Sequence, residues 1–275
     1  MHDFLSMMAL PLAACLILTG MHAYLGNHVI QRQVIFVDLA LAQIAALGSA
    51  VALAAGNNLE GNAAYWFSLG FALVGAIVFS LTRFRRQRLH QEAVIGIVYV
   101  VAAAFLILVL SRYGEGDEKI RKALIGNILL VRPKEVMHLL VLYSGIGMFH
   151  VFLRKSFFLI SSDPERASRQ GLPVRFLDFL FYASFALVVT SSVRIAGVLL
   201  VFSYLVVPSG CAFLWVGRTP QRLAVGWALG TLGSLAGVCF SYFADYPTGP
   251  SVVVALGVIF LVCLLLTLSF RKKLK

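Results

Sequence analysis

Nine apolar blocks, at about 4–26, 34–55, 64–82, 93–111, 136–153, 176–192, 195–216, 223–243 and 251–269, occupy most of the 275-residue chain. Each is close to the roughly 20 residues that an α-helix needs to cross a hydrocarbon core. Lipid offers no water to backbone N–H and C=O groups, so such blocks span as helices that satisfy their own backbone. Composition agrees: 60% of residues are hydrophobic and 13% are charged, against about 25% charged in a soluble domain. The expected fold is an all-α polytopic membrane protein with about 8–9 transmembrane helices, forming a single transmembrane domain over 1–275.

The basic residues set an expected orientation, because Lys and Arg accumulate in cytoplasmic loops. The densest cluster is TRFRRQRLH at 82–90. Alternating outward from it puts Arg32, the segment 154–175, Arg218, Arg222 and the tail RKKLK on the same side, which accounts for most of the 23 Lys and Arg. The N-terminus is then outside and the C-terminus cytoplasmic. No basic n-region precedes the first apolar block, so it reads as a membrane helix and not as a cleaved leader. The net charge of +11 belongs to this topology signal. It is not interleaved with stacking aromatics as a nucleic-acid surface requires, so the bilayer, not nucleic acid, is the expected partner. Cys15, Cys211, Cys239 and Cys263 lie inside apolar blocks without C-x-x-C or zinc-ligand spacing and read as small buried hydrophobes.

Breaks in the apolar pattern are few. Pro208, within IAGVLLVFSYLVVPSGCAFL, is expected to kink its helix because it removes one backbone hydrogen bond. GNNLEGN (56–62) and DYPTGP (245–250) have turn chemistry. The charged stretch RYGEGDEKIRKALIGNILLVRPK (112–134) contains a small apolar turn, ALIGNILLV. It reads either as an external loop or as a re-entrant segment, the latter only where other helices shield its backbone.

The longest cytoplasmic connection holds SDPERASRQGLP, which carries the signals of a short, delimited helix. Asp163 suits the N-cap and Pro164 the first helical position. Glu165 favours the positive end of the helix dipole. Gly171 suits a left-handed stop, and Pro173 prevents continuation. A helix of about seven residues is not stable alone, so membrane helices or a second protein must hold it.

Here the chain resembles the permease subunits of ABC importers for zinc, manganese and iron. In that family a segment of the form D-P-E-x-A-x-x-x-G-L-P is the cytoplasmic coupling helix that docks on the ATPase. The resemblance places it at about 161–173, with Asp163, Pro164, Glu165, Ala167 and Gly171 as the coupling residues. VRIAGVLLVFSYLVVPSGCAFL (193–214), DYPTGPSVVV (245–254) and, more loosely, QEAVIGIVYVVAAAFLILVLSR (91–112) and LIGNILLV (124–131) are similar to further family segments in the same order. The resemblance implies a single permease domain in a bacterial plasma (inner) membrane. It also implies a second copy of the chain, an ABC ATPase subunit and an extracytoplasmic substrate-binding protein. The chain has no G-x-x-x-x-G-K-[ST] loop, so no cofactor is expected on it and ATP is expected in the partner subunit.

The candidate translocation path begins with Asp38 and Gln43 in VDLALAQ. A carboxylate at the bilayer centre costs about 2.5–3.5 kcal/mol on insertion scales. The family's second helix carries G-D-A-L-S-H, whose Asp and His line the metal path four residues apart on one face. Here Gln43 stands where the His aligns, and Asp38 falls one residue early. Five residues amount to about 140° around a helix, so the two do not chelate one ion without a distortion. Asp38 is the one candidate metal ligand. Asn127 aligns with an Asp common in the family and is the third path candidate. The loss of two charged or strongly ligating groups implies a divergent branch with a chelated, less charged or more softly held substrate. The histidines His2, His22, His28, His90, His138 and His150 show no ligand spacing and read as interfacial or packing residues. The alternative function is a stand-alone secondary transporter with Asp38 as a proton or sodium site, for which paired broken helices are the expected mark. Catalysis by this chain is not expected, since no H-E-x-x-H, G-x-S-x-G or paired-aspartate cluster occurs.

Overall fold

A computed structural model describes residues 2–58, 61–82, 90–113 and 126–273. The described residues are helical with short connections and contain no strand. The helices are α1 (His2–Arg32), α2 (Val37–Ala54), α3 (Asn62–Leu81), α4 (Gln91–Leu110), α5 (Pro133–Phe152), α6 (Arg154–Ser162), α7 (Pro164–Arg169), α8 (Val174–Trp215), α9 (Thr219–Ala244) and α10 (Thr248–Lys273). A short 3-10 turn, Ile128–Leu130, precedes α5. Eight of the helices, all but α6 and α7, are long and apolar enough to cross a membrane.

The expected blocks map onto these elements. Blocks 176–192 and 195–216 are two helices joined without a loop, labelled together as α8 and separated at Gly197, whose torsions (φ 76°, ψ 162°) are not helical. A straight helix of that length would run about 60 Å, roughly twice a hydrocarbon core. Pro208 lies inside α8, but the backbone leaves helical torsions earlier, at Gly197. Most of the basic cluster at 82–90 and of the charged stretch at 112–134 lies outside the described residues.

Contacts divide the chain into two compact units. One gathers Met1–Ile30, Leu124–Ser144 and Ile195–Lys275; the other gathers Gln31–Ala123 and Gly145–Arg194. In the first, α9 packs along α10. Its core holds a hydroxyl chain in which Tyr204 and Ser234 are 2.6 Å apart and the Ser234 hydroxyl donates to the Gly230 carbonyl at 2.7 Å. Interhelical hydroxyl bonds of this kind supply contact energy that apolar side chains in lipid do not. The 3-10 turn docks on the break in α8: the Asn127 N–H donates to the Ile195 carbonyl at 3.1 Å. Gly126 has φ +68°, and a Cβ there would lie 2.3 Å from the Ala196 carbonyl carbon. At Gly126 and Asn127 the backbone of the 112–134 stretch is therefore covered by α8.

In the second unit α2 packs against α3 and α4. Gly48 makes the α2–α3 approach possible, because a Cβ there would lie 2.6 Å from the Phe67 carbonyl oxygen. Ser49 and Ser68 pair beside it at 2.5 Å. Replacing Gly48 by Leu is expected to force the helices apart at a cost of about 1–3 kcal/mol or more. A thermal melt of the detergent-solubilised protein checks this, with a fall of about 4 °C or more as the expected result.

Candidate substrate path and docking segment

Asp38 sits in the first turn of α2. A carboxylate there is favoured by the positive end of the helix dipole. The residue is 1% exposed. Neither of its side-chain oxygens has a hydrogen-bond partner among the described residues. Buried carboxylates are normally paired or hydrogen-bonded, since an isolated one costs several kcal/mol. Asp38 is thus a buried carboxyl group held in place with both oxygens uncommitted. Arg32 closes α1 and Asp38 lies in the first turn of α2, with Gln33 at φ +57° between them.

Gln43 is also buried. No break in α2 brings it onto the Asp38 face: Val37–Ala54 is one continuous helix, and five residues stay about 140° apart. Asn127 is exposed and opens the 3-10 turn. It belongs to the first unit, whereas Asp38 and Gln43 belong to the second. Among the described residues, no three His, Cys, Asp or Glu side chains come together in a way that could hold a metal ion. His150 pairs through Nε2 with the Ser184 hydroxyl at 2.8 Å and lies 4.7 Å, centroid to centroid, from the Phe157 ring. His22 donates from Nδ1 to the Leu18 carbonyl at 2.8 Å. Both are packing histidines. The four cysteines are free, three of them buried.

The segment around 161–173 is built as its residue types require. The Asp163 carboxylate accepts from the Arg166 N–H at 2.9 Å, and Pro164 opens α7. At the other end Gly171 has φ +78°. The Leu172 N–H reaches the Ala167 carbonyl and the Gly171 N–H the Ser168 carbonyl, each at 3.1 Å. This is a Schellman closure, which satisfies carbonyls that a helix end otherwise leaves open. Ala167 is fully buried while Glu165, Arg166, Arg169 and Gln170 are exposed. One small residue anchors the helix and leaves a charged outer face.

Sequence reading misses two features. It leaves 154–162 as loop, yet RKSFFLISS forms α6 with Phe157 and Ile160 buried one turn apart; that spacing was the available signal. It also treats Arg32 only as a topology marker. Arg32 is in fact buried and ion-paired with Asp178 at 2.7 Å, and the lone Asp in the apolar run FLDFLF was the sign of it.

The profile of the ABC 3 transport family matches residues 4–267. The chain belongs to that family. Among curated relatives, the manganese transport system membrane protein MntC of Listeria innocua is 26% identical over 255 residues, 90% of this chain and 88% of that protein. The chelated iron transport system membrane protein YfeD of Yersinia pestis is 31% identical over 211 residues, covering 74% of this chain and 70% of its own length. In the solved structures, a chain of PsaBC from Streptococcus pneumoniae in complex with Fab aligns with a TM-score of 0.78 at 19% identity. That alignment covers 95% of this chain and 94% of the other. A chain of an ABC transporter in an inward-facing conformation gives 0.69 at 18% identity, covering 93% and 85%. These share the fold. Membership in the ABC 3 transport family makes this chain a multi-pass ABC transport permease and leaves the stand-alone secondary transporter without support.

Proposed function

We propose that this permease imports a divalent metal ion or a metal chelate across a bacterial plasma membrane, by alternating access driven by ATP hydrolysis in a separate subunit. Residues 1–275 act as one permease domain, with the N-terminus outside and the C-terminus inside. Two copies pair, each docking an ABC ATPase through α7, and an extracytoplasmic binding protein delivers the substrate. The chain itself holds no cofactor. The functions of MntC and YfeD, manganese and chelated iron transport, support the substrate class. Asp38 is the observation that carries it. A buried carboxylate with uncommitted oxygens, in a family of ABC permeases, is an acceptor suited to a passing cation.

With Gln43 off the Asp38 face, α2 itself offers the substrate one charged oxygen donor group. A single carboxylate retains a transition-metal ion weakly, which suits brief occupancy during transit or a substrate that brings its own ligands. The first test is a mild-detergent pull-down of the tagged permease from native membranes. Stoichiometric recovery of a P-loop ATPase is expected. Repeated recovery of intact, partner-free protein would overturn the reading. Uptake by the reconstituted complex of Mn(II), Fe(II) and Zn(II), each as the free ion and as the citrate chelate, then identifies the substrate.

A further inference from the structure

Arg32 stands where three segments of one unit meet. Its Nη1 lies 2.7 Å from the Asp178 carboxylate of α8, and its Nε donates to the Ser161 hydroxyl of α6 at 2.8 Å. The guanidinium carbon lies over the Phe181 ring, 3.9 Å from its centroid. Arg32 and Asp178 side chains are each 1% exposed. The Ser161 hydroxyl donates to the Phe157 carbonyl at 2.8 Å, so its lone pair is what Arg32 uses. Below it, the Phe157 ring packs 5.8 Å from Phe181 and 6.0 Å from Phe149.

We propose that Arg32 is a positioning residue for energy coupling, tying the docking segment to the membrane helices so that a displacement of α6 and α7 moves α8 and the end of α1. The proposal rests on the docking role of α7. Ser161 lies two residues before the Asp163 cap, so the tie grips the chain where α6 hands over to α7. α6 and α7, of nine and six residues, are too short to hold their own shape. A force applied at α7 therefore reaches the membrane helices through what α6 touches, beside the short 170–173 connection into α8.

An ion pair is a poor choice if stability alone were needed there. Replacing a buried pair by apolar residues of similar size is often neutral or stabilising. What Arg supplies is direction: a planar fork with fixed donor angles stacked on an aromatic face. Nη2 is buried without a hydrogen-bond partner among the described residues. The present arrangement thus leaves one strong donor of this tie unused. A buried ion pair linked to packed side chains on three segments is the kind of contiguous contact that carries coupling between elements.

The test is hydrogen exchange on the permease–ATPase complex in lipid nanodiscs, comparing ATP plus vanadate with ADP. Two variants are used. Ser161→Ala removes the link to α6 and leaves the ion pair; the double variant Arg32→Met with Asp178→Leu removes the charges without orphaning one. In the unmodified complex, a nucleotide-dependent change is expected over both 154–169 and 174–182. In the variants the change over 154–169 persists, and that over 174–182 falls roughly five-fold. An equal change over 174–182 in the unmodified complex and in Ser161→Ala overturns the proposal, whether or not the double variant folds. Absence of that change in the unmodified complex overturns it too. Failure of the unmodified chain to bind any ATPase overturns the docking reading along with it.

Discussion

Asp38→Asn is expected to lower uptake of the transported metal roughly ten-fold or more without lowering the melting temperature of the purified permease. Both halves follow from one observation. The Asp38 carboxylate is buried, with neither oxygen hydrogen-bonded among the described residues. Removing a charge from an ion pair leaves its partner unmatched and destabilises by several kcal/mol, and Arg32→Met alone is expected to behave that way. Removing an unpaired buried charge relieves desolvation, so the neutral amide holds the fold as well or better. Function then separates from stability. A cation loses its one charged ligand in α2, and the remaining amide oxygen is a much weaker donor. Uptake assays and thermal melts on the same preparations decide it. Full uptake at unchanged expression would make Asp38 structural; a fall in melting temperature with intact uptake would point to a partner that Asn cannot replace. Gln43→Ala is the comparison, and a smaller loss of uptake is expected because its side chain is off the Asp38 face.

What could be read in advance was local. The apolar blocks, the N-cap at Asp163 and the left-handed stop at Gly171 follow from residue type and spacing, and each is found in the helices. What could not be read depends on distant pairing. Pro208 is the loud signal in its block, yet the backbone departs from helix at Gly197. The departure is matched by a turn some seventy residues earlier in the chain, where Gly126 fits against Ala196 and Gly197; roughly such non-local contacts override local propensity. Arg32 and Asp178 are similarly silent alone, one resembling a loop charge and the other a stray acid. Only their 2.7 Å approach gives either a role. The substrate site is the least legible part. Asp38 is visible as an expensive residue, but its lack of a partner is a property of the packed structure.

Gly171→Val is the second large expected effect, acting at α7. Gly171 holds φ +78°, a region that costs an ordinary L-residue about 1–2 kcal/mol and a β-branched one more. Valine there opens the closure in which the Leu172 and Gly171 N–H groups bond the Ala167 and Ser168 carbonyls. Gly171 is exposed, and a Cβ would meet nothing within 4 Å. The strain is therefore confined to the backbone of α7 and its exit and does not disturb the packed helices. Recovery of the ATPase with the permease, and transport with it, is expected to fall roughly ten-fold, while the melting temperature shifts by only about 2 °C. Gly171→Asn separates shape from composition: asparagine tolerates the left-handed region, so most of the docking should return. Glu165→Lys tests the surface itself. Glu165 is exposed in the first turn, so reversing its charge changes what the partner meets and costs only a few tenths of a kcal/mol locally. If Gly171→Val and Glu165→Lys both retain the ATPase and full transport, α7 is not the docking element. Loss in Gly171→Val with recovery in Gly171→Asn would show that the partner reads the left-handed closure of this helix.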